Sequence, residues 1–375
     1  MLSFNYRFED QTGAITNSAI SLGVREIEDA GVLEILQTPG AALGNWQFLD
    51  ALLDPASSSF SFLEPLGHAR EVKTAVSGLF GRFVARAYAT RYLGLTHFVH
   101  VRKPPMTLGG MLRGTLQRVP RQRGDMPDWV AWGPNVGMAI VEAKGCHDRN
   151  GPEAALARAF AQAERAEIRI RGRRVPFKRY AIATRWGFTN PKMSAPMLWV
   201  KDPEEEGEFH EGEAEALEIA MARWHAATLL GPLGHENLAK PLLALAQAPF
   251  RKRVEGAQAA ARDALSAIVP IQIERDDAAP DDLLIGGLVT RAGPLGSAGL
   301  DSDAGALLRR VGLRPAFVGI ERTVLKRAVE GTAHLGTFIQ EGAKSVSERR
   351  QGEDGAGSWV IRLEEDDAQI APIAL

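Results

Sequence analysis

Helical periodicity sets in at about Ala69 and runs to Leu93, where Val72, Val76, Leu79, Phe83, Ala87 and Tyr88 recur at three- and four-residue steps. Residues Thr96 to Val101 are rich in aromatic and β-branched side chains and predict a strand. After a connection containing Pro and Gly, Trp129 to Trp132 and Gly137 to Ala143 form two short apolar runs on either side of Gly133-Pro134-Asn135, the pattern of neighbouring strands joined by a turn. Pro152 to about Ile168 then opens as a helix does, with an early Pro, Glu153 in the first turn and an alanine-rich body. Tyr180 to Thr184 predicts one more strand. The order over residues 69 to 185 is therefore helix, three strands, helix, strand, which describes an α/β module with a mixed sheet flanked by helices.

The flanks are patterned differently. Over residues 1 to 65 short apolar groups are interrupted by Pro39, Gly40, Pro55 and the serines Ser57 to Ser59, and residues 1–68 are expected to be an N-terminal accessory segment. From Asp202 to Glu218 there are nine acidic residues and no Lys or Arg, the composition of a solvated connector entering a helix at about Glu213 to Leu230. This divides a central domain, 69–204, from a C-terminal α+β accessory domain, 205–375. In the latter, helical patterns recur near 236–247, 255–268 and 303–311, and strands are predicted at Leu283 to Thr290, Phe317 to Ile320 and Trp359 to Leu363.

Composition narrows the function classes. With 45% apolar and 24% charged residues over 375 positions the chain is an ordinary globular one, which excludes wholesale disorder. Forty-four Lys and Arg against 46 Asp and Glu leave a net charge of −2, so any nucleic-acid surface must be local. One cysteine, Cys146, closes no internal disulfide and builds no cysteine-based zinc site, which fits a reducing, cytoplasmic location. No stretch reaches the roughly 18 to 20 uninterrupted apolar residues of a membrane span, and MLSFNYRFED carries no signal-peptide pattern.

The chemistry concentrates in PDWVAWGPNVGMAIVEAKG, residues 127 to 145. Asp128 opens one predicted strand, and Glu142-Ala143-Lys144 closes the next, with Glu142 and Lys144 on one face at period 2. If the two strands pair, two carboxylates and an ammonium meet at the end of an apolar sheet, an arrangement that is costly without a cation to hold. Mg²⁺ answers to such a site, because it takes hard oxygen ligands from one or two carboxylates and fills its remaining positions with water and phosphate oxygens. The bland reading is a surface strand with an ion pair worth under about 1 kcal/mol. The apolar run before Glu142 and the element order on both sides favour the buried site.

Pro127-Asp128 followed by Glu142-Ala143-Lys144, within that element order, resembles the PD-(D/E)xK nuclease superfamily of restriction endonucleases, RecB-type exonucleases and Holliday-junction resolvases. The resemblance spans the central module and neither flank. It implies a restriction-endonuclease-like αβββαβ core with a mixed sheet, a divalent cation, Mg²⁺ with Mn²⁺ as substitute, held by Asp128 and Glu142, and a catalytic Lys144. Several branches add a glutamine on the following helix, for which Gln162 is the candidate; RecB-like members place a tyrosine four residues later, where this chain has Ala166. Some members use a glutamate on the preceding helix, and Glu71 is the candidate here.

Two basic blocks bracket the motif. Six basic residues and no acid lie between Arg102 and Arg123, among them Arg113, Arg118, Arg121 and Arg123. Between Arg165 and Arg185 eight basic residues, including Arg169, Arg171, Arg173 and Arg174, face the single acid Glu167. Singly these read as solvated loops; together, around an acidic site, they predict a groove that tracks phosphates. Other signals carry less. Cys146-His147 lacks a base and orienting partner for a nucleophile, His97 and His100 fall on opposite strand faces as a core and a surface histidine, the glycines from Gly286 to Gly299 form no phosphate-binding loop, and Asp301 and Asp303 suit a helix cap.

The expected function is a Mg²⁺-dependent nuclease acting on DNA phosphodiesters, with a role in antiviral defence by superfamily analogy alone. Its expected partners are DNA and a helicase or other defence-system protein, with homo-oligomer formation also open. Two alternatives stay open: a nuclease-fold nucleic-acid-binding or assembly subunit active only with a partner protein, and an unrelated α/β protein whose triplet is surface decoration.

Overall fold

The computed structural model describes residues 2–38, 61–62, 70–147, 151–188, 195–203, 208–274, 283–290, 293–296, 316–332, 358–362 and 369–372. The chain divides into two compact units, one formed by residues 1–34, 46–106 and 115–211 and the other by 35–45, 107–114 and 212–375. It is a mixed α/β protein, and among the described residues no helix is long and apolar enough to cross a membrane.

In the first unit, strands β1 (Leu2–Glu9) and β2 (Ile15–Leu22) precede helix α1 (Val24–Gln37), and the short β3 (Ser61–Phe62) precedes helix α2 (Arg70–Tyr92). Strand β4 (His97–His100) follows, then β5 (Met106–Gly109), whose residues 107–109 are assigned to the second unit, β6 (Gly114–Arg118), β7 (Trp129–Gly133) and β8 (Gly137–Cys146). After helix α3 (Glu153–Ala163) come β9 (Ala166–Ile170), β10 (Arg173–Arg174), β11 (Lys178–Arg185), β12 (Gly187–Phe188) and β13 (Met197–Lys201). Seven strands make one mixed sheet in the order β2-β1-β13-β11-β8-β7-β4, in which β4/β7 and β7/β8 are antiparallel and β8/β11 is parallel. The segment expected to be accessory thus supplies two strands of this same sheet.

Burial explains which strand is central. In β8 the run Met138 to Ala143 is buried throughout, as a strand covered on both faces requires. Alternation then assigns the faces: Gly145 turns toward α2, whose Gly81 and Ser77 lie against it, while Cys146 joins Ala155, Leu156 and Ala159 of α3 with Ala181 and Ala183 of β11. Helices α2 and α3 therefore cover opposite faces. The approach of α2 depends on two glycines, because a methyl at Gly145 would stand 1.8 Å from Ser77 O and one at Gly81 would stand 2.5 Å from Gly145 N.

The predicted elements of the central module appear near their expected limits, with two corrections, the first being that the connection expected between Val101 and Trp129 holds strands β5 and β6. The helix expected to run to about Ile168 ends at Ala163, and Ala166 to Ile170 is strand β9. Ala166, Ile168 and Ile170 are buried at alternate positions, so period 2 prevails once the chain turns at Glu164 and Arg165. Strand β9 lies between β6 and β10 in a smaller sheet.

The second unit contains helices α4 (Glu213–Leu230), α5 (Glu236–Gln247) and α6 (Arg251–Ala267), strands β14 (Ile271–Glu274), β15 (Leu283–Thr290), β16 (Gly293–Gly296) and β17 (Ala316–Glu321), helix α7 (Arg322–Glu330), and strands β18 (Ser358–Arg362) and β19 (Gln369–Pro372). Its sheet runs β18-β17-β15-β14-β19, with β16 on β15. The helix expected near 303–311 lies outside the described residues, as do Asp301 and Asp303.

Replacing Gly145 by Ala is expected to destabilise the protein by about 3 kcal/mol, since the new methyl meets backbone that cannot rotate away. The shift of the urea midpoint at unchanged slope measures it.

Candidate active site at the end of β7 and β8

The site grows out of strand register. Pairing of β7 with β8 sets Trp129 opposite Val141, which brings the preceding Asp128 beside Glu142. The backbone N–H of Asp128 donates to Glu142 Oε2 at 2.8 Å, and the N–H of Ala143 donates to Asp128 Oδ2 at 3.0 Å. Each carboxylate is thus gripped by the other strand's backbone.

The remaining oxygens meet cations. Lys144 Nζ donates to Glu142 Oε1 and, at 2.9 Å, to Gln162 Oε1 on α3. Gln162 Nε2 donates to Met126 O at 2.6 Å, so one amide ties the lysine to the loop that carries Asp128. On the other side, Arg82 of α2 places Nη2 2.9 Å from Asp128 Oδ1. The Glu142 side chain is fully buried and that of Asp128 is 7% exposed, whereas Lys144 and Arg82 are 33% and 37% exposed; solvent reaches the pair past its two cations.

Burial, and after it the charge of Asp128, push the Glu142 carboxyl up to about 8 against the opposing pull of Lys144. A second charge is therefore expensive here, and a divalent cation is the group that would make both carboxylates favourable together. Asp128 and Glu142 fit Mg²⁺ by their chemistry. Among the described residues no three His, Cys, Asp or Glu side chains converge, so such a cation would complete its shell with water or substrate oxygens. The side chain of Glu71 lies outside the described residues.

Sequence reasoning missed Arg82 and what stands behind it. Glu34 of α1 is fully buried, with Arg86 Nη1 at 3.4 Å, His100 Nε2 at 3.1 Å, Trp129 Nε1 donating at 2.9 Å and Arg82 Nη1 at 3.9 Å. Burial alone would push its carboxyl up, but His100, Arg86 and Arg82 draw it down to about 2. Burial also opposes the charge of Arg82, yet Asp128, Glu34 and Glu142 hold its pKa above the ordinary value. Of the two histidines expected to divide between core and surface, His97 is buried and His100 is turned onto Glu34. The available signal was two arginines four residues apart on an apolar helix, which implies carboxylates across from them.

The expected phosphate-binding arginines fall into distinct settings. Arg121 and Arg123 are exposed on a loop that the site itself anchors: Val119 N–H donates to Arg165 O at 2.9 Å, Arg165 Nη1 to Asp125 O at 3.1 Å, and Gln162 to Met126. Arg171 is exposed at the turn between β9 and β10, and Arg174 is exposed with its guanidinium 5.4 Å from the Phe177 ring centre. Arg118 is half-buried on β6, Arg169 is bound to Glu167 at 2.7 Å, and Arg173 donates to Glu208 O. Arg113 belongs to the second unit.

No protein-family model, curated protein or solved structure matches the chain.

Because the folded-state pKa of Glu142 lies above its ordinary value of 4.5, the folded protein binds the extra proton between about 4.5 and 8, and that contribution to stability is present below the window and lost as pH rises through it. Metal-free protein is expected to lose urea stability from pH 5 to 8, and Glu142→Gln to flatten the profile. An unchanged slope in the variant would place the titration elsewhere.

Proposed function

We propose that this protein is a metal-dependent nuclease that hydrolyses DNA phosphodiesters, with a restriction-endonuclease-like core. The observation that carries the reading is the meeting of Asp128, Glu142, Lys144 and Gln162 at one end of a mixed sheet whose strands run β4-β7-β8-β11. The order of elements around it, α2, β4, β7, β8, α3, β11, supports the same core.

In this reading Asp128 and Glu142 hold Mg²⁺ or Mn²⁺. Such a cation would supply Lewis-acid chemistry, lowering the pKa of a water and polarising a phosphoryl oxygen. Lys144 would orient the attacking water or offset negative charge at phosphorus, and its reach is set by Gln162, whose amide oxygen accepts from Lys144 while its nitrogen donates to the Met126 carbonyl. Gln162 is thereby a positioning residue. Arg121 and Arg123, on the loop leading into Asp128, receive the flanking phosphates, with Arg171 and Arg174 as a further basic edge. Defence against foreign DNA is the pathway the superfamily analogy suggests.

One observation favours the second reading, a subunit that acts only with a partner. Lys144 and Arg82, the two cations of the site, are both paired with its own carboxylates. Activation by a partner would consist of freeing them.

The test is incubation of the full chain with supercoiled and linear DNA in Mg²⁺ or Mn²⁺. Cleavage is expected, with Asp128→Ala and Lys144→Ala each slowing it by at least about 100-fold. Cleavage that survives both substitutions defeats the proposal, whereas salt-sensitive binding without turnover turns the balance to the partner-dependent subunit.

A further inference from the structure

Arg82 serves two masters. Its Nη2 lies 2.9 Å from Asp128 Oδ1, and its Nη1 lies 3.9 Å from Glu34 Oε1. A guanidinium is a rigid planar fork, so any shift of Arg82 changes its contacts with both carboxylates together. The two carboxylates differ in freedom. Glu34 is enclosed, with Arg86 and His100 against it and the indole N–H of Trp129 donating to it. Trp129 is also the residue that follows Asp128, so the separation between Glu34 and the site is fixed through β7. Arg82, at 37% exposure, is the member able to shift.

We infer that Glu34 is a positioning residue of the candidate site, acting on Asp128 through the shared guanidinium of Arg82 and so setting how readily Asp128 accepts a divalent cation. The inference rests on the reading of Asp128 and Glu142 as a cation-binding pair. A guanidinium beside Asp128 repels a second cation there, and a buried anion behind the guanidinium draws it off. Helix α1, part of the segment the sequence set apart from the core, thereby becomes part of the site's electrostatics. A purely structural Glu34 would serve only to answer Arg86, His100 and the Trp129 indole, with no effect passed through Arg82.

The two roles differ in the sign and dependence of their effects. Mn²⁺ binding to the metal-free full chain, followed by calorimetry, is expected to weaken by about tenfold in Glu34→Gln and to tighten in Arg82→Gln, the scale on which groups behind a metal ligand act. The double variant should match Arg82→Gln alone, because Glu34 has no effect left to exert. Weakening that persists in the Arg82→Gln background, or its absence in Glu34→Gln, overturns the inference. Should Glu34→Gln fail to fold with Arg86 left uncompensated, pairing it with Arg86→Met removes both buried charges and permits the same measurement.

A metal-free readout separates this inference from the reading beneath it. In urea unfolding, Glu34→Gln and Asp128→Asn should be non-additive when Arg82 is present and additive in the Arg82→Gln background. Additivity in both backgrounds overturns the positioning role whatever the metal result. Non-additivity confined to the Arg82 background, in a protein that takes up no Mn²⁺, upholds the link and removes the cation reading.

Discussion

Two carboxylates held side by side in a protected place dominate the design of the central unit. The charge of Asp128 and the burial of the site raise the Glu142 carboxyl to about 8, so a second charge is disfavoured without a cation, and each of the four oxygens has a partner. Glu142 Oε2 and Asp128 Oδ2 accept backbone N–H groups from the facing strand, which uses donors at the strand ends. Glu142 Oε1 takes Lys144, and Asp128 Oδ1 takes Arg82. Strand, helix and loop are each recruited by that accounting, and the loop is fixed because Gln162 spans from Lys144 to the Met126 carbonyl.

Packing sets where the answering cations can stand. Arg82 reaches Asp128 only because α2 settles against β8 at Gly81 and Gly145, where no side chain intervenes. Alternation then separates the work of the two sheet faces. The side of β8 that carries Glu142, Lys144 and Cys146 is the side covered by α3, which brings Gln162; the opposite side meets α2, with Phe80, Phe83 and Val84 buried in its core. A helix that stood off by one methyl would lengthen the Arg82 to Asp128 contact from 2.9 Å into a water-screened one and leave the Asp128 charge unanswered.

Much of this was legible in the sequence, for local reasons. The apolar runs of β7 and β8, the periodic face of α2 and the turn at Gly133 to Asn135 are short-range patterns, and period 2 alone sets Glu142 and Lys144 on one face. Strand β1 also left a signal, the alternation of Leu2, Phe4, Tyr6 and Phe8, but β2 beside it is exposed over most of its length and has no apolar face to reveal its pairing. Strand β9 was hidden by the alanines of the preceding helix, since Ala166 fits either period. The spacing of Arg82 and Arg86 implied buried acids, but which acids answer them was illegible for a different reason. Their partners lie in other elements, and a contact such as that between Glu34 and Trp129 joins residues 95 positions apart.

The same accounting sorts the arginines. A basic cluster read from sequence counts charges without asking whether an acid already answers them, and the fold gives that answer residue by residue. Arg169 is paired with Glu167 on the same strand, and Glu167 also accepts the amide of Gln117 at 2.8 Å, which ties β6 to β9. Arg165 is spent on the Asp125 carbonyl, and that contact is structural in a useful sense, because it braces the loop bearing Arg121 and Arg123 just before Asp128. An arginine consumed inside the fold thus fixes the two that are exposed. On the proposed reading these cations divide the work, Arg165 setting the geometry of the loop and Arg121 and Arg123 presenting their charge at its surface.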